Sequence, residues 1–322
     1  MFARSALNSP TPIAVFCVLL LVICSEQALS QDQTRKREKR PGLPNTPLLA
    51  AFNRPDFQED FPAMCLNAEG KPIVAFVEHD GTADRLKLAE LKENGQLRAV
   101  AQISAEGVTN ITQPCLTRLP NGRHLCVWSQ LEADGQWDLV AREIGRKGKA
   151  ALGAPFHLTH GGGNDIFPDL GTDRHGKVWV VWQSIAEKRC RIFTRHATHE
   201  PDSNDPLVWS DRIAVTADDD SVRGGDWEPR LAFGKEDEAL IVFDSYRGGN
   251  FDLFLTRVSP DGIASQAQAI AQSDRYEARG EAATSPEATS SSSSRSSQAS
   301  PPTSVVLRKS WQRSRPIATP SS

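Results

Sequence analysis

Apolar residues along this chain fall in short runs of strand length separated by polar turns, and the runs recur. Aligned on Pro62, Pro114, Pro168 and Pro229, the sequence reads EDFPAM, ITQPCL, IFPDL and DWEPRL. Each copy is a polar turn, a proline, then the start of an apolar strand. Eight residues after each proline stand Gly70, Gly122, Gly176 and Asp237, all turn formers, and fourteen after stand Phe76, Trp128, Trp182 and Phe243. Between turn and ring lie Pro72–Ala75, Leu125–Val127, Val178–Val181 and Ala239–Val242. These β-branched and aliphatic runs do not alternate, the pattern of a strand covered on both faces. The proline reads as the first residue of its strand, where it need not donate to the ladder.

In each unit a polar turn leads on to a third strand: Leu86–Leu91, Trp137–Glu143, Arg191–Thr194 and Phe251–Val258. A fourth precedes the next proline: Ala99–Ile103, Phe156–Thr159 and Ile213–Thr216. The prolines are 52, 54 and 61 residues apart while the offsets inside each unit stay constant, as when packed strands are constrained and loops are free. Two packed sandwiches would not demand the same ring at the same offset in every unit. The expected fold is all-β: a β-propeller or open propeller arc of about four four-stranded blades plus a fragment. The repeat domain spans 47–271, with units near 60–109, 110–163, 164–224 and 225–273.

Pro47–Phe52 (PLLAAF) reads as a lone fourth strand able to complete a last blade and remove an open edge. At the other end Asp274–Arg279 echoes Asp226–Arg230, which sets Ala278 at the proline position of a fifth unit. The pattern then gives way to serine-rich sequence, so the array reads as truncated, or as shifted in frame near Gly280. Residues 1–30 read as a signal peptide: Arg4, an apolar run Ile13–Cys24, and small residues at Ala28 and Ser30 before Gln31. Residues 31–46 form a basic linker. Residues 272–322 form a Ser/Pro-rich tail, expected disordered, that contains the fragment 274–279; nine serines fall within 281–300.

The leader is neutral and the two flanking segments carry +3 each, so the overall −3 leaves −9 on residues 42–271. An acidic body argues against nucleic acid as a partner. No later stretch is apolar enough to span a bilayer, and secretion to the periplasm or beyond is expected.

Proline, apolar strand, Gly-Lys or Gly-Arg turn, then aliphatics into Trp: this order, best seen in Pro168–Trp182 (PDLGTDRHGKVWVVW) and Pro229–Gly262, resembles the bacterial exported propellers with TolB-like and sialidase-like (BNR) repeats. The resemblance covers about residues 60–279. Phe243–Arg247 with Asn250–Asp252 also resembles blades that precede a hydrolase-like domain in large secreted proteins. It implies a repeat class rather than an activity: sialidases carry Asp-boxes (Ser-x-Asp-x-Gly-x-Thr-Trp), and none occurs here.

Two loops before consecutive prolines hold the strongest candidate binding groups: His160–Asp165 (HGGGND) and Arg223–Glu228 (RGGDWE). Their glycines would let backbone approach a ligand, or simply relieve tight turns, and Asp165, Arg223, Asp226 and Trp227 supply polar and stacking groups. Other candidates are weaker. Cys115 and Cys126 lie on adjacent strands and could bridge, or stay as buried thiols with Cys65 and Cys190. His196, His199 and Glu200 lack a helix to give their spacing meaning, and Asp218–Asp220 lacks the alternation of a calcium loop. No metal, cofactor, phosphate-loop or nucleophile-elbow motif is present. The expected function is a non-catalytic secreted module that presents loops to a glycan, peptide or partner domain. The alternatives are a glycan-active hydrolase using Glu59, Asp165 or Asp226, and a truncated product without independent function.

Overall fold

Each expected unit closes into one antiparallel sheet, because its strands are consecutive and joined by tight turns. The computed structural model describes residues 57–92, 96–198, 206–217, 225–247 and 249–284. The leader, the linker, Pro47–Phe52, Arg223 and the tail from 285 lie outside them. Blade 1 holds β1 (Gln58–Leu66), β2 (Pro72–His79), β3 (Asp84–Leu91) and β4 (Leu97–Gln102). Blade 2 holds β5 (Ile111–Arg118), β6 (His124–Leu131), β7 (Trp137–Ile144) and β8 (Ala151–His157). Blade 3 holds β9 (Asn164–Thr172), β10 (Val178–Ala186) and β11 (Arg189–Thr198), with its outer strand split into β12 (Val208–Trp209) and β13 (Ile213–Ala214). Blade 4 holds β14 (Asp226–Phe233), β15 (Ala239–Arg247), β16 (Asn250–Val258) and β17 (Gln268–Ala271). Strand order within every sheet follows chain order, and successive first strands pack together (β1 on β5, β5 on β9, β9 on β14). The first strands are therefore innermost, and the sheets form an arc of a propeller.

Apolar cores lie between blades. Trp128 packs with Ala75, Leu86 and Leu88 of blade 1; Trp182 with Leu125, Val127 and Leu139 of blade 2; Phe243 with Trp179, Val181 and Ile192 of blade 3. Each ring thus fills the slot between its own blade and the preceding one. Phe76, buried as well, alternates with Ala75 and Val77 and so faces away from blade 2. Met64 is exposed on the innermost strand of blade 1, whereas its counterparts Leu116, Leu170 and Leu231 are buried against a preceding blade.

The prolines do not open their strands, as the alternation of turn and strand had suggested. In each blade the ladder skips two first-strand residues opposite one second-strand residue: Phe61–Pro62 across from Phe76, Gln113–Pro114 from Trp128, Phe167–Pro168 from Trp182, Glu228–Pro229 from Phe243. The repeated proline marks a β-bulge, a place where a missing ladder donor costs nothing. The residue before it adopts left-handed backbone every time, with φ of 50° at Phe61, 50° at Gln113, 58° at Phe167 and 48° at Glu228. Such a conformation is strained for a residue with a side chain.

Two smaller devices repeat. Gly70, Gly122, Gly176 and Asp237 all take positive φ in the turn between first and second strands, as their shared offset predicts. At the end of the outer strand, Ser104, Thr159 and Thr216 each accept a third-strand N–H through a hydroxyl: Leu86 at 3.1 Å, Leu139 at 2.9 Å and Ile192 at 3.1 Å.

Residues 277–284 continue the repeat in a register different from the expected one. Arg279 is left-handed (φ 59°), and Thr284 Oγ1 accepts the Phe233 N–H at 3.0 Å. Gly280, not Ala278, therefore occupies the proline position, and Thr284 stands four residues beyond it as Thr172 does beyond Pro168. A Cβ at Gly280 would lie 2.8 Å from Val242 Cγ1, and Ala282 packs with Leu240 and Val242. The segment lies where a fifth innermost strand would begin, although it forms no ladder itself, so the packed region runs past the 274–279 fragment. The four described cysteines, Cys65, Cys115, Cys126 and Cys190, are free thiols: Cys115 faces blade 3 and Cys126 faces blade 1, so that pair cannot bridge.

Replacing Trp182 with Ala should lower the unfolding free energy by about 3–5 kcal/mol, measurable by urea denaturation. Deleting 277–322 should destabilise the protein more than deleting 285–322, because only the first uncovers Leu240 and Val242. Equal midpoints for the two truncations would contradict the fifth-strand assignment.

Candidate functional site

The bulges gather one residue per unit at the inner rim of the arc. Phe61, Gln113, Phe167 and Glu228 sit at the same register on successive innermost strands, near the end where those strands begin, and Arg279 takes the equivalent place in the segment that follows blade 4. A bulge turns the local N–H out of its ladder, and at Phe61, Phe167, Glu228 and Arg279 a side chain accepts it. The Glu228 N–H donates to Gln183 Oε1 of blade 3 at 2.9 Å, and the Arg279 N–H to both Asp244 oxygens of blade 4 at 2.9 and 2.8 Å. Gln183 and Asp244 share one repeat position. Its counterpart in blade 2 is Ser129, whose side chain is shorter, and there Gln113 Oε1 accepts the Phe167 N–H at 3.2 Å. Phe61 uses its neighbour Asp60, at 2.7 Å. Backbone is pinned while the side chains are not buried: Phe61 is 38% exposed, Arg279 is exposed, and Gln113, Phe167 and Glu228 are half-buried.

The expected ligand groups are placed differently. Asp165 and Asp226 lie inside β9 and β14, one per blade at the same repeat position, and only 1% and 3% of their surface is exposed. Each stands opposite a serine, Ser184 and Ser245. Asp226 Oδ1 accepts the Ser245 hydroxyl at 2.5 Å and Arg247 Nη2 at 3.2 Å, while Arg247 Nε donates to Ser245 Oγ at 2.8 Å. Arg247 also covers the Phe254 ring, 4.4 Å from its centroid. Burial raises the Asp165 pKa against nearby Ser184 and Thr159, which lower it. Glu59 takes the corresponding place in blade 1, opposite Glu78. Asp165 and Asp226 face the frame of the sheets rather than solvent, whereas Glu59 is half-buried.

Trp227 is half-buried in β14 against Phe251, at 5.3 Å between ring centroids. Arg223 lies outside the described residues. The loop glycines split into two kinds. A Cβ on Gly163 would meet Ile185 O at 3.0 Å, and one on Gly225 would meet Cys190 O at 2.5 Å, so both serve close packing within the protein. Gly161 and Gly162 face open space. His196 falls within β11 and packs on Trp179 at 4.7 Å; His199, Glu200 and Asp218–Asp220 are outside the described residues. Among the described residues no three His, Cys, Asp or Glu gather into a metal-ligating group.

The rim positions escaped the sequence reading, although a signal was present for four of them: Phe61, Gln113, Phe167 and Glu228 each stand just before an aligned proline, while Arg279 precedes Gly280. Together they offer two aromatic faces, an amide, a carboxylate and a guanidinium, a set suited to a polar ligand with planar or ring-shaped apolar faces.

No family model matches the chain, and no curated protein matches it. Solved structures do. A protein of unknown function from Dyadobacter fermentans superposes with a TM-score of 0.56 at 14% identity, over 73% of this chain and 74% of that one. The GH93 α-L-arabinofuranosidase of Fusarium graminearum, solved with arabinobiose, superposes with a TM-score of 0.53 at 13% identity, over 72% of this chain and 73% of that one. At such identities the likeness establishes the fold, a β-propeller.

Asp244 supplies a pH test of the rim. Burial, opposed by the Arg279 N–H and reinforced by Glu228, raises its pKa from 3.8 to about 6. The folded form therefore holds a proton that the unfolded chain releases, so stability is greatest below 3.8 and falls as pH rises to about 6. The loss should be roughly 3 kcal/mol. Asp244→Asn, which keeps an acceptor for Arg279, should flatten that part of the profile in thermal melts from pH 4 to pH 7.

Proposed function

We propose that this chain is an exported, non-catalytic binding module of the TolB-like or sialidase-like repeat type, in which the inner rim recognises a glycan. The reading rests on the burial of Asp165 and Asp226, 1% and 3% exposed. Glycoside hydrolysis needs two carboxylates, about 5–10 Å apart, that reach opposite sides of the bond, and a general acid must come within hydrogen-bond reach of its proton. Asp226 is occupied by Ser245 and Arg247. The rim chemistry is instead that of recognition: Phe61 and Arg279 are exposed, and the half-buried Gln113, Phe167 and Glu228 occupy the same repeat position. Export is supported by the leader-like 1–30 segment, and a glycan is supported by the arabinobiose bound to the similarly folded arabinofuranosidase.

Calorimetric titration of the purified chain with arabinobiose, xylotriose and sialyllactose should show binding of at least one sugar with no product released. Glu228→Gln should weaken that binding by roughly tenfold, the value of one charge-assisted hydrogen bond. Release of free sugar that Asp226→Asn abolishes would establish a hydrolase in place of a binding module.

A further inference from the structure

Four aromatic rings meet at the loop end of blade 4. Phe251, the second residue of β16, lies at their centre: Trp227 stands 5.3 Å away at 53°, Tyr246 5.2 Å away at 67° and Tyr276 5.4 Å away at 61°, all between centroids. The frame of a blade does not require them. Phe251 and Tyr246 face each other across the ladder, and the same pair of positions holds Cys190 and Ile185 in blade 3, Trp137 and Leu131 in blade 2, and Asp84 and His79 in blade 1. Aromatic residues fill every place around this point only in blade 4.

Tyr276 is the unusual member. It is 69% exposed, which is a poor use of a ring if core packing were its role. The loop that carries it is nonetheless tied down on both sides. Asn250 Nδ2 donates to the Ser273 and Arg275 carbonyls at 2.7 and 2.9 Å, the Arg275 N–H donates to Ser273 Oγ at 3.2 Å, and the Glu277 N–H donates to the Phe251 carbonyl at 2.8 Å. The ring is therefore presented in a fixed place, edge-on to a half-buried aromatic support, with its remaining surface open.

We propose that this cluster is a stacking subsite for a neutral sugar ring, with Tyr276 as the contacting face and Trp227, Tyr246 and Phe251 as its support. The inference rests on the glycan reading of the rim and extends it outward. Trp227 directly precedes Glu228, and Tyr276 lies three residues before Arg279, so subsite and rim are carried by the same two chain segments. A pre-positioned aromatic face suits the apolar C–H side of a sugar, and it loses little conformational entropy on binding. One exposed ring amid polar neighbours is too small for a stable protein interface, which buries about 800 Å² on each side. The neutral class follows from the stacking groups, which carry no charge.

The test uses the full chain with xylotriose, arabinotriose and sialyllactose, following tryptophan fluorescence and calorimetric affinity. Tyr276→Ala should weaken binding of a neutral trisaccharide roughly tenfold, as expected for the loss of one aromatic contact, and Tyr276→Phe should retain it. The thermal midpoint of Tyr276→Ala should match wild type, because the ring is largely exposed. If Tyr276→Ala binds as tightly as wild type while Glu228→Gln does not, the subsite is wrong and the rim reading stands. A preference for sialyllactose that Tyr276→Ala leaves untouched would also overturn the subsite. If wild type binds none of the three sugars, the glycan reading fails and the subsite falls with it.

Discussion

The architecture depends on one pairing: a two-residue bulge ending in proline, set opposite a buried aromatic ring. The bulge supplies local twist to the innermost strand, and the ring opposite it projects into the slot between blades, as Trp128, Trp182 and Phe243 do. The left-handed residue turns an N–H out of its own ladder, and a side chain from elsewhere, usually the preceding blade, must accept it. Strain of roughly 1–3 kcal/mol at each bulge is thus offset by a buried ring and, at Phe167, Glu228 and Arg279, by a bond to the preceding blade. Lateral cohesion and blade curvature come from the same few atoms.

Much of this could be read from the chain because the constraint acts on residue types. Inter-blade rings must be large and apolar, so Trp and Phe return at a fixed offset. The turn after the first strand must take positive φ, so Gly, or Asp at 237, returns as well. The proline was visible but its place in the strand was not: a proline starting a strand and a proline within a bulge look alike when the flanking residues are short and apolar. The fifth unit hides its register for a related reason. At Gly280 the proline is replaced by a residue that Val242 and Leu253 leave no room to enlarge, and Ala278 offers a misleading match two residues earlier.

Asp165 and Asp226 show a different limit. Acidic residues beside a glycine-rich loop read as surface groups, yet the strands begin earlier than the apolar run implies. Once Asp226 belongs to β14, its side chain points into the sheet and needs partners, which Ser245 and Arg247 provide. A single sequence shows the serine and the arginine, but not that the ladder register brings them opposite the carboxylate. Buried polar groups of this kind depend on long-range geometry, and local pattern carries little of it.

The same register explains why the rim can vary while the frame cannot. At the bulge position the conserved demand falls on the backbone: left-handed φ and an N–H aimed at a neighbour. The side chain is released from the ladder and from the inter-blade core. Phe61, Gln113, Phe167, Glu228 and Arg279 therefore differ in size, polarity and charge although their backbones do the same work. Asp165 and Asp226, held within the sheets, have no such freedom. A propeller that separates structural duty from side-chain identity in this way can acquire new ligand contacts at the rim without disturbing the slots that hold its blades together.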